Sequence, residues 1–271
     1  MSSPRLSSPL SNALAVAKKQ DRAALIGYLP VGFPTVDHSI AAMLAMVEGG
    51  ADVIEVGVPY SDPVMDGPTI QAAVDPAVRA GVGIGDAFTA VRAIADAGGA
   101  AVVMTYWNPV ERYGIPRFAA DLAAAGGSGT ITPDLIPDEA GAWLAATDEH
   151  ELDRIFLVAP SSTEARVAST LASCRGFVYA ASTMGVTGTR SAVSGAAQQL
   201  VGRVRAVDPV LPVCVGLGVS NADQAAELAA YADGVIVGSA FVRLLLDSPG
   251  PAGIDAVRGL ARELSEGVRR R

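Results

Sequence analysis

Two rhythms of apolar and polar positions run along this chain. Short β-branched runs, almost free of polar residues, predict strands at 24–29, 53–58, 101–105, 129–132, 154–158, 177–180, 213–216 and 234–237. The Ala-rich stretches between them repeat apolar positions at helical spacing and predict helices at 36–48, 84–96, 117–125, 138–147, 163–173, 196–206, 221–231 and 254–266. Strands this apolar suit a parallel sheet whose faces are covered by helices. Eight strands alternating with eight helices is the count of an α/β fold of the (β/α)8 TIM-barrel type, with a doubly wound open sheet as the competing arrangement. A further helix at 5–20 precedes the first strand and is expected to plug the barrel bottom. No Pro-, Ser- or charge-rich linker divides the chain, so one domain is expected over 1–271, with 1–22 as an N-terminal helical extension and 23–271 as the barrel.

One polar residue breaks the second strand. Glu55 lies inside the run Val53-Ile54-Glu55-Val56-Gly57-Val58, where a carboxylate is costly without a partner or a purpose. A turn-rich loop after the strand brings in a second acid, Asp66, clamped by Gly67-Pro68. Two carboxyl groups in different surroundings can have separated pKa values, which general acid–base chemistry requires. Read alone, Glu55 could also be an interior acid with a structural hydrogen bond, and Asp66 an Asx-turn residue.

Composition narrows the classes. With 50% hydrophobic residues the 271-residue chain can bury a large core. A net charge of −8, with no basic stripe beyond the terminal Arg269-Arg270-Arg271, argues against a nucleic-acid partner. No apolar stretch has the length of a membrane span and no secretory signal is visible; Cys174 and Cys214 are far apart and read as reduced core thiols, so a cytoplasmic location is expected. The only lysines, Lys18 and Lys19, precede the first strand, which disfavours imine chemistry at a strand end. His38 and His150 fall away from the expected catalytic face, so no metal site is expected.

In a barrel of this type chemistry belongs at the C-terminal strand ends, and phosphate binds after the last two strands. Those ends read Gly216-Leu217-Gly218 and Gly238-Ser239-Ala240. Glycine lets backbone approach a ligand, and N–H groups opening a short helix at Gly238-Ser239 would face an anion. The loop after the sixth strand, from Ser182 to Arg190, is rich in Gly and Thr. It suits a mobile lid over 182–194, the plainer alternative being a solvated connector.

The run Glu55-Val56-Gly57-Val58-Pro59-Tyr60-Ser61-Asp62-Pro63-Val64-Met65-Asp66-Gly67-Pro68-Thr69-Ile70-Gln71 closely resembles the signature of the tryptophan synthase alpha subunit family. The resemblance continues through Gly27-Tyr28-Leu29-Pro30, Thr105-Tyr106-Trp107-Asn108-Pro109, Pro133-Asp134-Leu135, Gly185-Val186-Thr187-Gly188, Gly216-Leu217-Gly218-Val219 and Gly238-Ser239-Ala240. It implies retro-aldol cleavage of indole-3-glycerol phosphate to indole and glyceraldehyde 3-phosphate. It also implies an allosteric alpha2beta2 complex with a beta subunit that carries pyridoxal phosphate, and no cofactor in this chain. By resemblance Glu55 is the general acid–base and Asp66 steadies charge at the indole nitrogen. Tyr179 lies beside them, and Thr187 is the lid residue that closes onto Asp66. Tyr28 and Tyr106 line the indole pocket, while Gly188, Gly218, Gly238 and Ser239 bind phosphate. Pro59, Asp62, Pro63, Asn108, Asp134 and Pro137 are expected to form the partner surface. The chain departs from many family members at Ile136, at Thr183-Met184 and at Trp107.

Two other functions remain in view at this point. One is a different phosphate-binding barrel, such as indole-glycerol-phosphate synthase, for which a catalytic Lys at a strand end would be expected, or a sugar-phosphate isomerase. The other is a non-catalytic barrel that regulates a partner, against which the intact Glu55, Asp66 and Thr187 argue.

Overall fold

The computed structural model describes residues 8–181 and 190–270. Its strands are β1 (Ala24–Pro30), β2 (Val53–Gly57), β3 (Ala100–Met104), β4 (Gly129–Ile131), β5 (Asp153–Ile155), β6 (Leu157–Val158), β7 (Val178–Ala181), β8 (Val213–Gly216) and β9 (Gly234–Val237). All pairings among them are parallel, in the order β5-β4-β3-β2-β1-β9-β8-β7-β6. The two ends of this order, β5 and β6, are halves of one run interrupted at Phe156. Thr132 N–H donates to the Ile155 carbonyl (3.3 Å) on one side, and Tyr179 N–H to the Phe156 carbonyl (3.1 Å) on the other. The sheet therefore closes on itself, and the expected fifth strand is present but split.

Register decides which side chains face inward. Val53, Glu55 and Gly57 of β2 pair with Ile26, Tyr28 and Pro30 of β1. Val53 belongs to the apolar cluster inside the barrel, with Ile26, Val102, Ile131, Ile155, Phe177, Cys214 and Ile236. Its neighbours Ile54 and Val56 point the other way, into the layer between strands and helices. Alternation with period two then puts Glu55 on the inner face. Both faces are dry, which is why the strands read as unbroken apolar runs.

The helices Val36–Glu48 and Ile84–Asp96 have the predicted bounds. Thr35 caps the first by accepting the His38 N–H at 3.2 Å. Two further helices, Pro68–Arg79 and Trp107–Tyr113, were not separately predicted. Pro68 at the first helical turn favours the former, whereas Pro76 inside it removes one hydrogen bond and hides the helical pattern.

The N-terminal helix Pro9–Lys19 seals the end of the barrel away from the loops that carry Asp66. Leu10, Leu14 and Ala17 join the interior cluster, Leu10 N–H donates to Ser128 Oγ (3.2 Å), and the capping Ser8 hydroxyl donates to the buried Asp153. At the same end Arg22 grips Asp52 with two bonds of 2.6 and 2.7 Å, and Asp52 also accepts the Leu25 N–H at 2.8 Å. Arg22 is only 5% exposed. Asp52→Ala strands that guanidinium in a dry site and is expected to cost about 3 kcal/mol. Urea denaturation tests this; an unchanged midpoint would show that the pair holds nothing.

Candidate active site

Glu55 stands at the centre of β2, opposite Tyr28 of β1 and Val102 of β3. It is 1% exposed, and its Oε2 has no hydrogen-bond partner among the described residues. Burial disfavours the charged form and pushes its pKa from 4.5 up to about 8. The carboxyl group is therefore predominantly protonated at neutral pH.

Asp66 meets it from the loop that follows β2. Gly67 is the N-cap and Pro68 the first residue of helix Pro68–Arg79, so the start of the helix fixes the chain just after the acid. The Gln71 side chain donates back to the Asp66 carbonyl at 2.7 Å. Tyr106, just after β3, donates its hydroxyl to Asp66 Oδ1 at 3.2 Å and accepts the Met65 N–H at 3.0 Å. Burial raises the Asp66 pKa, and the Tyr106 hydrogen bond opposes it. Glu55 has no such opposing bond. The same burial, with a smaller contribution from Asp66, pushes the Tyr106 phenol up to about 12.

Glu55 and Asp66 open onto one cavity of about 410 Å³ at the C-terminal ends of the strands, with Tyr28 among its walls. Tyr106, expected in an indole pocket, does not line this cavity and acts on it through Asp66 and Met65. Tyr179 of β7 lines it and is held neutral chiefly by burial, then by the nearby Glu55. Glycines make room for the rings. A Cβ on Gly57 would fall 2.6 Å from the Tyr28 hydroxyl oxygen, and one on Gly216 would fall 2.4 Å from that of Tyr179. Neither glycine was singled out for this in the sequence, because the crowding comes from the neighbouring strand. Met65, Met104, Leu217 and Ile236 add apolar walls that the sequence reading also passed over. For Met104 and Ile236, inward parity near a strand end was the available signal.

At the other side of the cavity Gly218, Gly238 and Ser239 line the wall together. Gly218 adopts φ +55°, a backbone shape that favours glycine. Gly238 is the N-cap of helix Ser239–Asp247; its carbonyl takes the Phe241 N–H at 2.9 Å, which leaves the N–H groups of Ser239 and Ala240 for an anion. Gly188 and Thr187 lie outside the described residues, as does 182–189 of the expected lid; helix Arg190–Val207 follows.

The expected partner rim is distributed unevenly. Asp62, Asn108 and Asp134 are exposed, and Pro63 and Pro137 partly so. Pro59 is a correction: it is buried, and together with Asn108 it lines a second cavity of about 590 Å³. Asp134 takes the Trp107 N–H at 2.9 and 3.1 Å, so it also anchors helix Trp107–Tyr113, while the Trp107 ring packs edge-on to Trp143. Asn108 donates to the Tyr60 hydroxyl at 2.9 Å, and the Tyr60 ring lies 5.3 Å from that of Tyr106. Val64, 77% exposed, and Ile136, 39% exposed, are exposed large apolar side chains on the same loops.

Lys18 and Lys19 end the N-terminal helix, away from the cavity. Among the described residues no group of three His, Cys, Asp or Glu could hold a metal ion, and no helix is long and apolar enough to cross a membrane.

Comparison with known proteins agrees with this geometry. The family model described as tryptophan synthase alpha chain matches residues 14–263. The chain is 64% identical over 254 residues to the tryptophan synthase alpha chain of Mycobacterium marinum, covering 94% of this chain and 92% of that one. Against the Nocardia farcinica protein of the same name the figures are 63% over 262 residues, with 97% and 96% covered. Among solved structures, tryptophan synthase of Mycobacterium tuberculosis superposes with a TM-score of 0.91 at 61% identity, covering 97% of this chain and 99% of the matched one. The alpha subunit from Legionella pneumophila keeps a TM-score of 0.88 at 27% identity, with 97% and 99% covered.

The buried acid ties stability to pH. The Glu55 pKa is raised on folding, so the folded chain keeps a proton that the unfolded chain loses. Stability from this group is intact below about pH 4.5, declines as pH rises toward about 8, and levels off above. The stability of Glu55→Gln relative to the natural protein should therefore rise across this window in urea denaturation. Parallel stability curves would contradict the shift.

Proposed function

The chain belongs to the tryptophan synthase alpha chain family, and from that membership and the paired carboxyl groups we propose that it cleaves indole-3-glycerol phosphate to indole and glyceraldehyde 3-phosphate. The observation that carries the mechanism is Glu55, buried and protonated, facing a cavity that Asp66 enters from the other side. The indole ring occupies the apolar part of the cavity near Met104 and Ile236, with its N–H toward the Asp66 carboxylate that Tyr106 holds. The phosphate lies against the backbone of Gly218, Gly238 and Ser239, with Gly188 completing the site from outside the described residues.

The resting protonation state sets the order of steps. Glu55 gives its proton to indole C3, and the positive charge spreads to the ring nitrogen, where Asp66 steadies it. The Glu55 carboxylate then takes the proton of the adjacent glycerol hydroxyl. The C3–carbon bond breaks, its electron pair restores the aromatic ring, and the hydroxyl carbon becomes the aldehyde. Glu55 ends protonated, as it began, so the cycle is balanced. The ring itself is the electron sink, which a lysine imine provides in other aldol cleavages. Tyr179, neutral and beside Glu55, helps to orient it. Thr187 closes the lid onto Asp66 and shuts out water.

Pyridoxal phosphate belongs in this reading to a beta subunit. The cavity here has no lysine to hold it, and none of the steps above passes through it. The beta subunit docks on the rim formed by Asp62, Pro63, Asn108, Asp134 and Pro137, over Val64 and Ile136. Indole is apolar and crosses membranes, so direct transfer avoids its loss. The whole of 1–271 works as one cytoplasmic unit within an alpha2beta2 assembly.

Glu55→Gln and Asp66→Asn should each lower turnover by at least ~10²-fold while the far-UV spectrum is unchanged. In the natural enzyme kcat/KM for cleavage should fall as pH rises through about 8, where Glu55 loses its proton. Near-normal turnover in a folded Gln or Asn variant would remove that residue from the mechanism. Co-sedimentation with a tryptophan synthase beta subunit at micromolar concentrations is the expected sign of docking, and its absence there would count against the rim.

A further inference from the structure

Tyr106 commits its hydroxyl to Asp66 and Met65. The Tyr28 hydroxyl makes no hydrogen bond with another described residue, although its side chain lines the cavity. Tyr28 is the direct register partner of Glu55 across the β1–β2 pair, and both side chains face inward. Two glycines fix the ring. Gly238 faces its Cδ1, where a Cβ would come within 3.1 Å, and Gly57 faces its far end, where a Cβ would come within 2.6 Å of the hydroxyl oxygen. Gly57 is two residues beyond Glu55 on the same face, so the phenol occupies the layer immediately above the acid, toward the cavity mouth. Its oxygen feels the charges of both Asp66 and Glu55, and burial with those charges holds it well above its ordinary pKa. It is therefore a neutral donor that faces the charges of both carboxyl groups and, among the described residues, is left to donate to a bound ligand.

We propose that the Tyr28 hydroxyl is a third catalytic group, donating a hydrogen bond to the glycerol oxygen that becomes the aldehyde oxygen, and that it selects for substrates carrying that hydroxyl. The role rests on the reaction assigned above. As Glu55 removes the hydroxyl proton, negative charge grows on this oxygen until the carbon–carbon bond breaks and the carbonyl forms. A fixed phenol donor steadies that charge while keeping its own proton. The resemblance to the family puts Tyr28 only among residues lining an indole pocket. Here its ring spans from Gly238, on the phosphate side, to Gly57 above Glu55, which places the hydroxyl along the glycerol chain.

Tyr28→Phe keeps the ring between its glycines and removes the hydroxyl alone. The variant should lower kcat for indole-3-glycerol phosphate at least ~10-fold, the scale of losing a donor to developing charge. Indole-3-propanol phosphate, which lacks both glycerol hydroxyls, should bind natural and variant proteins within about 2-fold of each other, as expected when no hydrogen bond is lost. That second measurement also reports an intact cavity. Unchanged turnover in the variant would remove the hydroxyl from the mechanism. Equal loss of affinity for both ligands would show a role in shape alone. If the natural chain cleaves no indole-3-glycerol phosphate, the reaction itself is wrong and this role goes with it. If the natural chain cleaves and the Phe variant matches it, only Tyr28 is dismissed.

Discussion

The cost of ionising one carboxyl group away from water governs this structure. Glu55 is set in a strand whose neighbours on both sides are apolar, inside a ring of parallel strands that closes through the split at Phe156. Among the described residues nothing charged reaches it to offset that cost, and its Oε2 has no described partner. The proton is therefore retained near neutral pH, and a group that would otherwise be a surface-like carboxylate becomes an acid ready to donate. Closure of the barrel keeps the group dry, and its dryness holds the proton that the proposed chemistry uses. Stability and reactivity are thus drawn from the same desolvation, which lowers the first above the carboxyl's unfolded pKa while enabling the second.

The two ends of the barrel divide the remaining work. At one end, Leu10, Leu14 and Ala17 fill the mouth, and the Ser8–Asp153 and Arg22–Asp52 contacts fasten the N-terminal segment and the first strand. At the other end glycine leaves space: Gly57 for Tyr28, Gly216 for Tyr179, Gly238 for Tyr28 and for an approaching anion. Large rings beside absent side chains create a cavity of defined shape without loosening the backbone of the strands. The asymmetry follows from residue size at inward positions, since both ends belong to the same hydrogen-bonded ladder.

Much of this was legible in the sequence, and for identifiable reasons. Val36–Glu48, Ile84–Asp96, Val213–Gly216 and Gly234–Val237 kept their predicted bounds because local pattern and flanking residues agreed. Glu55 and Asp66 stood out because each is polar where its surroundings favour another residue type. The break at Phe156 did not stand out, since an apolar residue interrupting pairing looks like any other apolar strand residue. Helix Pro68–Arg79 was concealed by Pro76. The burial of Pro59, the Tyr106–Asp66 bond and the crowding of Gly57 and Gly216 depend on contacts between segments distant in sequence. No local pattern encodes such contacts.

Asp66 differs from Glu55 in how it is held. Glu55 is fixed by strand pairing on two sides, so only a change in the barrel could move it. Asp66 is on a loop, and its position relies on the helix start at Gly67-Pro68, the Gln71 bond and the hydroxyl of Tyr106. Tyr106 in turn lies against Tyr60, whose hydroxyl is held by the exposed Asn108. A contact made at Asn108 therefore bears on the acid through two aromatic rings and two hydrogen bonds, each individually weak. With links this weak, a shifted ring alters the carboxylate's position at small cost while the barrel stays unchanged. The dry acid is built into the rigid sheet, and the acid linked to the exposed rim is placed on the loop.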